Sequence, residues 1–483
     1  MLGKKKDKIT IEFIGNNSTS VTGSATLISF GDRKILFECG GIQEGKTVYD
    51  NYKLNKQMMS KIKAKEIDMI IGGHFMHYDH GGNVVTVHRQ NPNIRIITGI
   101  NTSGILREMW LDSSNISTRD CEMLSNMYSD KIFIPCYSED DVFAALQNVE
   151  EYEPYKIHEL DNEVSIRYTP SGHIFGAMQC EVFIKYNNHV KKILFTSDLG
   201  NTKTEHLKPF VDKFEPVSSA NIVIGEVTYG SRKNVDVTKK VVDKDLEKIK
   251  SVIEQFCVQN KRRVLFPVFS LDKCPNILWL LYQMFKDDKN FKTKVLIDSP
   301  LTNRLLDRYS EVLTGDAKEQ FDEMMSWKNI VRITDPNESK AAVENMQNII
   351  ILSSGGMLQS GRSVRWIMDL LPHSGDCCLF SGYTGVNTLG YKIKNCGDQK
   401  TITINGVACK NRCQIVSLRG QSSHLQRQDL INYYKTINCS SIYLVHGDMD
   451  GKIEFAADLK DELRNCSKTT KVCVVNKGTT ITL

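Results

Sequence analysis

Short apolar runs broken by Gly, Ser and Asp open the chain. Ile9–Ile14, Ala25–Phe30 and Lys34–Cys39 each have strand character. Helical spacing follows near Leu106–Trp110 and over Glu139–Gln147. Val164–Tyr168, Cys180–Lys185 and Lys192–Thr196 return to strands. From residue 236 onward the period changes. Val237–Gln259 places Val241, Val242, Leu246, Ile249, Val252 and Ile253 on one helical stripe. The apolar strand Arg263–Phe269 leads into a helix over Pro275–Phe285, and Val295–Asp298, Ile349–Leu352 and Cys377–Ser381 alternate with helices. This predicts an α/β layer around a mostly parallel sheet. Beyond residue 396, strands return at Thr401–Ile404, Gln414–Leu418 and Ser441–His446, with a helix over Gln426–Tyr434. The middle block therefore reads as a domain inserted into the first. The expected division is 1–205, an insert over 206–395, and a return over 396–483.

One stretch does not fit a purely structural pattern. His74-Phe75-Met76-His77-Tyr78-Asp79-His80 follows the strand-like run Ile67–Ile71 and precedes Gly81-Gly82. Packed imidazoles repel when protonated and waste apolar surface when neutral. A divalent metal removes both problems, because imidazole nitrogens and carboxylate oxygens are first-choice zinc ligands. Metal sites collect ligands from distant loops, and four more lone residues stand at strand ends. His173 lies in Ser171–Gly176, Asp198 follows the strand ending in Phe195-Thr196, His424 follows Ser422-Ser423, and His446 ends a strand. Each alone is weak. Together with residues 74–80 they supply enough N and O atoms for two metals.

Composition narrows the class. A chain of 483 residues with 41% hydrophobic and 25% charged positions is an ordinary globular protein of two or three domains. A net charge of +5 permits a polyanionic substrate. No apolar run is long enough for a membrane span. The basic start, MLGKKKDKITIEF, has no apolar segment behind it, so no secretory signal is expected. The 14 Cys include no CxxC pair and read as reduced thiols, which places the protein in the cytoplasm.

The order Gly40-Gly41, HxxHxDH, SGHIFG, TSDLGN, EVTYG, SSH and LVHGD resembles the β-CASP branch of the metallo-β-lactamase fold, the nucleic-acid-processing nucleases. The resemblance runs from Ile9 to Leu483. It includes Leu265–Lys273, Ile297–Pro300, Ser353–Leu358, and Gly382-Tyr383 with Thr388–Gly390. It implies an αββα sandwich with an inserted α/β domain and two zinc ions per chain. His74, His77 and His173 would hold the first, Asp79, His80 and His446 the second, and Asp198 would bridge them. The resemblance further implies attack on phosphorus by a hydroxide held between the metals. Asp79, His424 and Glu226 are then the catalytic set, with His424 as general acid oriented by Glu226. Lys273, Arg362, Arg365 and Lys392 are candidate phosphate contacts on a single-stranded RNA.

Three departures stand out. The family motif is H-x-H-x-D-H, so one residue is inserted here, and a local bulge is expected to return His74 to the metal with Phe75 packed inward. Glu38 replaces the aspartate that follows the strand ending at Phe37. Gln426 replaces an aspartate two residues past the motif histidine, and Lys273 replaces an arginine. Three readings stay open beside the RNA phosphodiesterase: a DNA-processing nuclease, a small-molecule hydrolase, and a dead nucleic-acid-binding subunit. His446 favours the RNA branch over the DNA branch, where valine is usual. Without the extra C-terminal domain of the RNase J type, an endonuclease is expected. A homodimer or a partner subunit is left open.

Overall fold

The computed structural model describes residues 8–232, 237–382, 384–385 and 387–483. The chain divides into two units. One comprises Met1–Thr202, Asp212–Val235 and His424–Leu483, and the other Lys203–Val211 and Asp236–Ser423.

The first unit is built on two seven-stranded sheets. One sheet runs Thr480–Thr482, Thr10–Phe13, Thr26–Phe30, Arg33–Phe37, Met69–Ile71, Arg95–Gly99 and Val149–Tyr152. The other runs Lys471–Val474, Ser441–Val445, Ile222–Glu226, His189–Phe195, Met178–Tyr186, Val164–Pro170 and His158–Glu159. Alternation puts Ile11, Phe13, Ile35 and Phe37 of the first sheet in one buried cluster with Val182, Ile184, Ile193 and Phe195 of the second. The rings of Phe37 and Phe195 stack across it with centroids 3.7 Å apart. On the outer face of the second sheet, Leu430 and Tyr434 of helix Arg427–Thr436, with Phe455 and Leu459 of helix Met449–Asn465, cover Leu194, Val223, Ile442 and Leu444. Helix Ser103–Met127 was legible only near Leu106–Trp110, because polar residues crowd its later turns.

The second unit carries a wholly parallel six-stranded sheet. Its order is Ile330–Ile333, Lys294–Asp298, Ile349–Ser354, Arg263–Val268, Cys377–Phe380 and Gln414–Ser417. Central strands such as Arg263–Val268 are buried throughout, as parallel sheets covered on both faces require.

Both expected boundaries move. Ile222–Glu226 lies in parallel between Ile193–Phe195 and Ser441–Val445, so residues 212–235 stay with the first unit rather than opening the insert at 206. Gln414–Ser417 pairs in parallel with Cys377–Phe380, so the insert closes at Ser423 rather than 395. Strand pairing decides both, and an apolar run does not name its neighbour. No helix among the described residues is long and apolar enough to cross a membrane.

Candidate metal centre

The candidate ligands and the Glu226–His424 pair gather in the first unit, where strands end and the chain turns sharply. Glu38 follows strand Arg33–Phe37 with φ 59°, Ser197 comes soon after His189–Phe195 with φ 46°, and His446 follows Ser441–Val445 with φ 51°. Left-handed backbone at non-glycine residues is costly, and these three residues adopt it at strand ends that face the site. Two glycines allow the loops to meet. A Cβ on Gly40 would lie 1.6 Å from the Asp79 carbonyl oxygen, and one on Gly200 would lie 1.9 Å from that of Gly172.

His74, His80, His173, Asp198 and His446 are buried. The ring of His74 is 4.9 Å from His80, 5.2 Å from His173 and 5.8 Å from His77. Asp198 lies at the centre. Its Oδ1 is 3.3 Å from His80 Nε2 and 3.3 Å from His446 Nδ1, and its Oδ2 is 3.7 Å from His173 Nε2. Asp79 Oδ2 lies 3.9 Å from His446 Nε2. The more exposed His77 turns its Nδ1 onto Asp79.

The extra residue between His74 and His77 does not make a β-bulge. Strand Met69–Ile71 has already ended, and the His77 amide donates to the His74 carbonyl at 3.3 Å. Phe75 and Met76 occupy the resulting turn, with Phe75 buried. A turn absorbs one residue without disturbing strand register, because no ladder partner has to be skipped.

A shell of polar groups fixes these rings. Glu38 Oε2 sits 2.7 Å from His80 Nδ1, and its carboxylate accepts from Ser24 Oγ at 2.5 Å and Ser197 Oγ at 2.8 Å. The extra methylene of glutamate therefore still reaches the imidazole. Thr228 Oγ1 lies 3.0 Å from His446 Nδ1. Glu226 accepts from the amides of Leu199 at 2.8 Å and Thr228 at 2.9 Å, and its Oε1 is 3.4 Å from His424 Nδ1. Glu226 thus ties together the loops of Asp198, His446 and His424. The Leu425 amide donates to the Leu199 carbonyl at 2.8 Å, closing the same knot. Sequence reasoning missed the roles of Ser24, Ser197 and Thr228; TSDLGN contained Ser197 and EVTYG contained Thr228, while nothing marked Ser24.

The electrostatics suit a cation. Burial holds His74 well below the ordinary imidazole range. Burial pushes the same way at His80, but the Glu38 and Asp198 carboxylates outweigh it and raise that ring. Burial works against ionised Asp198, yet the neighbouring His446 and His80 hold it well below the usual carboxylate range. Both nitrogens of His74, Nε2 of His80 and of His446, and Oδ1 of Asp198 are buried and make no hydrogen bond. Unsatisfied buried polar atoms are expensive, and several aimed at one another match the imidazole-and-carboxylate donor set of zinc. Among the described residues, three ligand groupings fall within metal reach: His74, His80 and Asp198; Asp79, His80 and His446; His173, Asp198 and His424.

Comparison with known proteins bears on the family of the chain. The Beta-Casp domain family matches residues 275–393, and the family described as Zn-dependent metallo-hydrolase RNA specificity domain matches 410–472. The chain thus carries a Beta-Casp domain followed by the RNA specificity domain of Zn-dependent metallo-hydrolases. Among its relatives, Ribonuclease TTHA0252 of Thermus thermophilus is 23% identical over 89% of this chain and 91% of its own length. An RNase J-like protein of Methanocaldococcus jannaschii is 23% identical over 84% of this chain and 87% of its own. Endoribonuclease ysh1 of Schizosaccharomyces pombe is 23% identical over 84% of this chain and 50% of its own. A crystal structure of a protein of unknown function from Enterococcus faecalis covers 99% of this chain and 100% of its own at 12% identity, with a TM-score of 0.53, and shares the fold.

The phosphate contacts expected of a β-CASP protein differ in kind. Lys273 is buried, with its ammonium on the Gln421 carbonyl. Arg362 binds Asp298 at 2.7 Å and the Thr334 carbonyl, and Arg365 lies 3.3 Å from Ser339 Oγ. Burial and internal bonding fix Lys273 and Arg362 within the second unit, while Lys392 is exposed. His424 also sits closer to the ligands than a separate proton donor would need. Its ring is 4.4 Å from that of His173.

Proposed function

We propose that the chain is a zinc-dependent phosphodiesterase that cleaves single-stranded RNA. The observation that carries the reading is the convergence of His74, His77, Asp79, His80, His173, Asp198 and His446, from separate loops, beside the Glu226–His424 pair. These residues would hold two zinc ions, Asp198 contributing to both. Bound zinc would supply an activated water and stabilise charge on the phosphoryl group.

The chain's own residues do the rest. Glu38 fixes the tautomer of His80 and Thr228 occupies Nδ1 of His446, leaving Nε2 of each for the metal. Asp79 holds His77. Glu226 keeps the Nδ1 side of His424 occupied, so that Nε2 is the atom that gives a proton to the leaving oxygen. Exposed Lys392 is retained as a phosphate contact.

RNA as the substrate is supported by the relatives named as ribonucleases and by the RNA specificity match over 410–472. The dead-subunit reading drew on the inserted residue alone, and His74 lies among the other ligands despite it. The deciding experiment pairs metal analysis with turnover. Two zinc ions per chain and cleavage of labelled single-stranded RNA, abolished by a chelator and restored by zinc, are expected. Full zinc loading with no cleavage of RNA would overturn the reading, and cleavage of DNA alone would move it to the DNA branch.

A further inference from the structure

A second, positively charged feature lies in the first unit, at the far end of the sheet from the metal centre. His446 follows the last residue of strand Ser441–Val445, whereas the first residue of that strand pairs with Lys471 of strand Lys471–Val474. Helix Met449–Asn465 connects the two ends, and its last turns lie roughly 20 Å from its first at 1.5 Å per residue. There Lys460 and Arg464, with Lys468, Thr469 and Lys471 from the following turn and strand, line an open cleft of about 500 Å³. No carboxylate lines it. Nearby acids are committed elsewhere: Asp458 to Arg427 at 2.6 Å and Glu462 to Lys435 at 2.7 Å. Only Arg464 has an acidic partner, Asp461, and that pair is exposed and weak. Lys460, Lys468 and Lys471 have no ion pair among the described residues.

Basic residues at a helix C-terminus often just complement its dipole. That accounts for Arg464 and, through its bonds to the Lys435 and Ile437 carbonyls at the end of helix Arg427–Thr436, for Lys468. It does not account for Lys460, a turn earlier, or for Lys471 on the sheet edge. Lys460 and Arg464 from the helix and Lys471 from the strand line one cleft, and with Lys468 fixed beside them they make a focused positive field. Exposed ammonium groups over an open floor suit a repeating phosphodiester better than a small buried anion.

We infer that this cleft is a second binding site for the RNA backbone, holding the strand away from the metal centre and so favouring long substrates. The inference rests on the RNA reading above. It is tested on the zinc-loaded full chain with a triple variant, Lys460→Gln, Arg464→Gln and Lys471→Gln. The control neutralises Lys65, Lys185 and Lys213, which are exposed in the same unit. For a long single-stranded RNA, the cleft variant should bind about tenfold more weakly. Its log K against log salt slope should be shallower by about 2, near 0.7 for each phosphate no longer neutralised. Turnover of a dinucleotide should be unchanged. Equal losses in variant and control would reduce the effect to net charge, and wild-type affinity and slope in the variant would overturn the inference. Wild-type protein that turns over no RNA but binds it through the cleft would instead count against the catalytic reading alone.

Discussion

Glu38 Oε2 lies 2.7 Å from Nδ1 of His80, and that contact sets which nitrogen of His80 faces Asp198. The same carboxylate is held by Ser24 and Ser197. A ligand ring fixed from behind loses less freedom on binding metal, and its outer partner raises its basicity.

Glu38→Gln should therefore weaken zinc binding about 10–100-fold, the range usual for such partners. Competition against a chromogenic chelator measures it. Wild-type affinity in the variant would show that His80 is held by other contacts.

His74→Ala removes a buried ring whose two nitrogens have no hydrogen bond. Zinc content should fall towards one ion per chain, by elemental analysis, with activity falling alongside. Two ions retained would mean that the turn at Phe75-Met76 leaves His74 outside the coordination sphere.

His424→Ala should lose roughly 10²–10⁴ in rate, the range for a positioned general acid, while both metals stay. The closeness of His424 to His173 makes this a demanding test. Zinc loss in the variant would make His424 a ligand. Glu226→Gln should lower the rate less but also loosen metal, because Glu226 holds the amides of Leu199 and Thr228 as well as facing His424.

Lys273 offers a check on stability. Burial lowers its ammonium from 10.5 to about 8. Between those values the unfolded chain carries a proton that the folded chain has lost, so stability rises with pH across that window. Below pH 8 the folded state bears the cost of a buried charge. Lys273→Met should be more stable relative to wild type at pH 7 than at pH 10.5, with the advantage shrinking by on the order of 3 kcal/mol. Urea denaturation at the two pH values measures it. A pH-independent difference would mean that Lys273 is ionised throughout.

The sequence by itself determined the elements and the candidate chemistry. Period-2 runs marked the strands of both sandwich sheets, the stripe from Val241 to Ile253 marked a helix, and the dense histidines of residues 74–80 marked a candidate metal site, because each is a local pattern. Only the tertiary structure decided where the insert begins and ends, since Ile222–Glu226 and Gln414–Ser417 are short apolar strands that could pair in either sheet. It decided that Lys273 and Arg362 face inward, because a basic residue reads as surface until its carbonyl or carboxylate partner is placed beside it. It also decided the work of Ser24, Ser197 and Thr228. A hydroxyl has no spacing signature, and it acquires a role only when folding brings an imidazole or a carboxylate within hydrogen-bond reach.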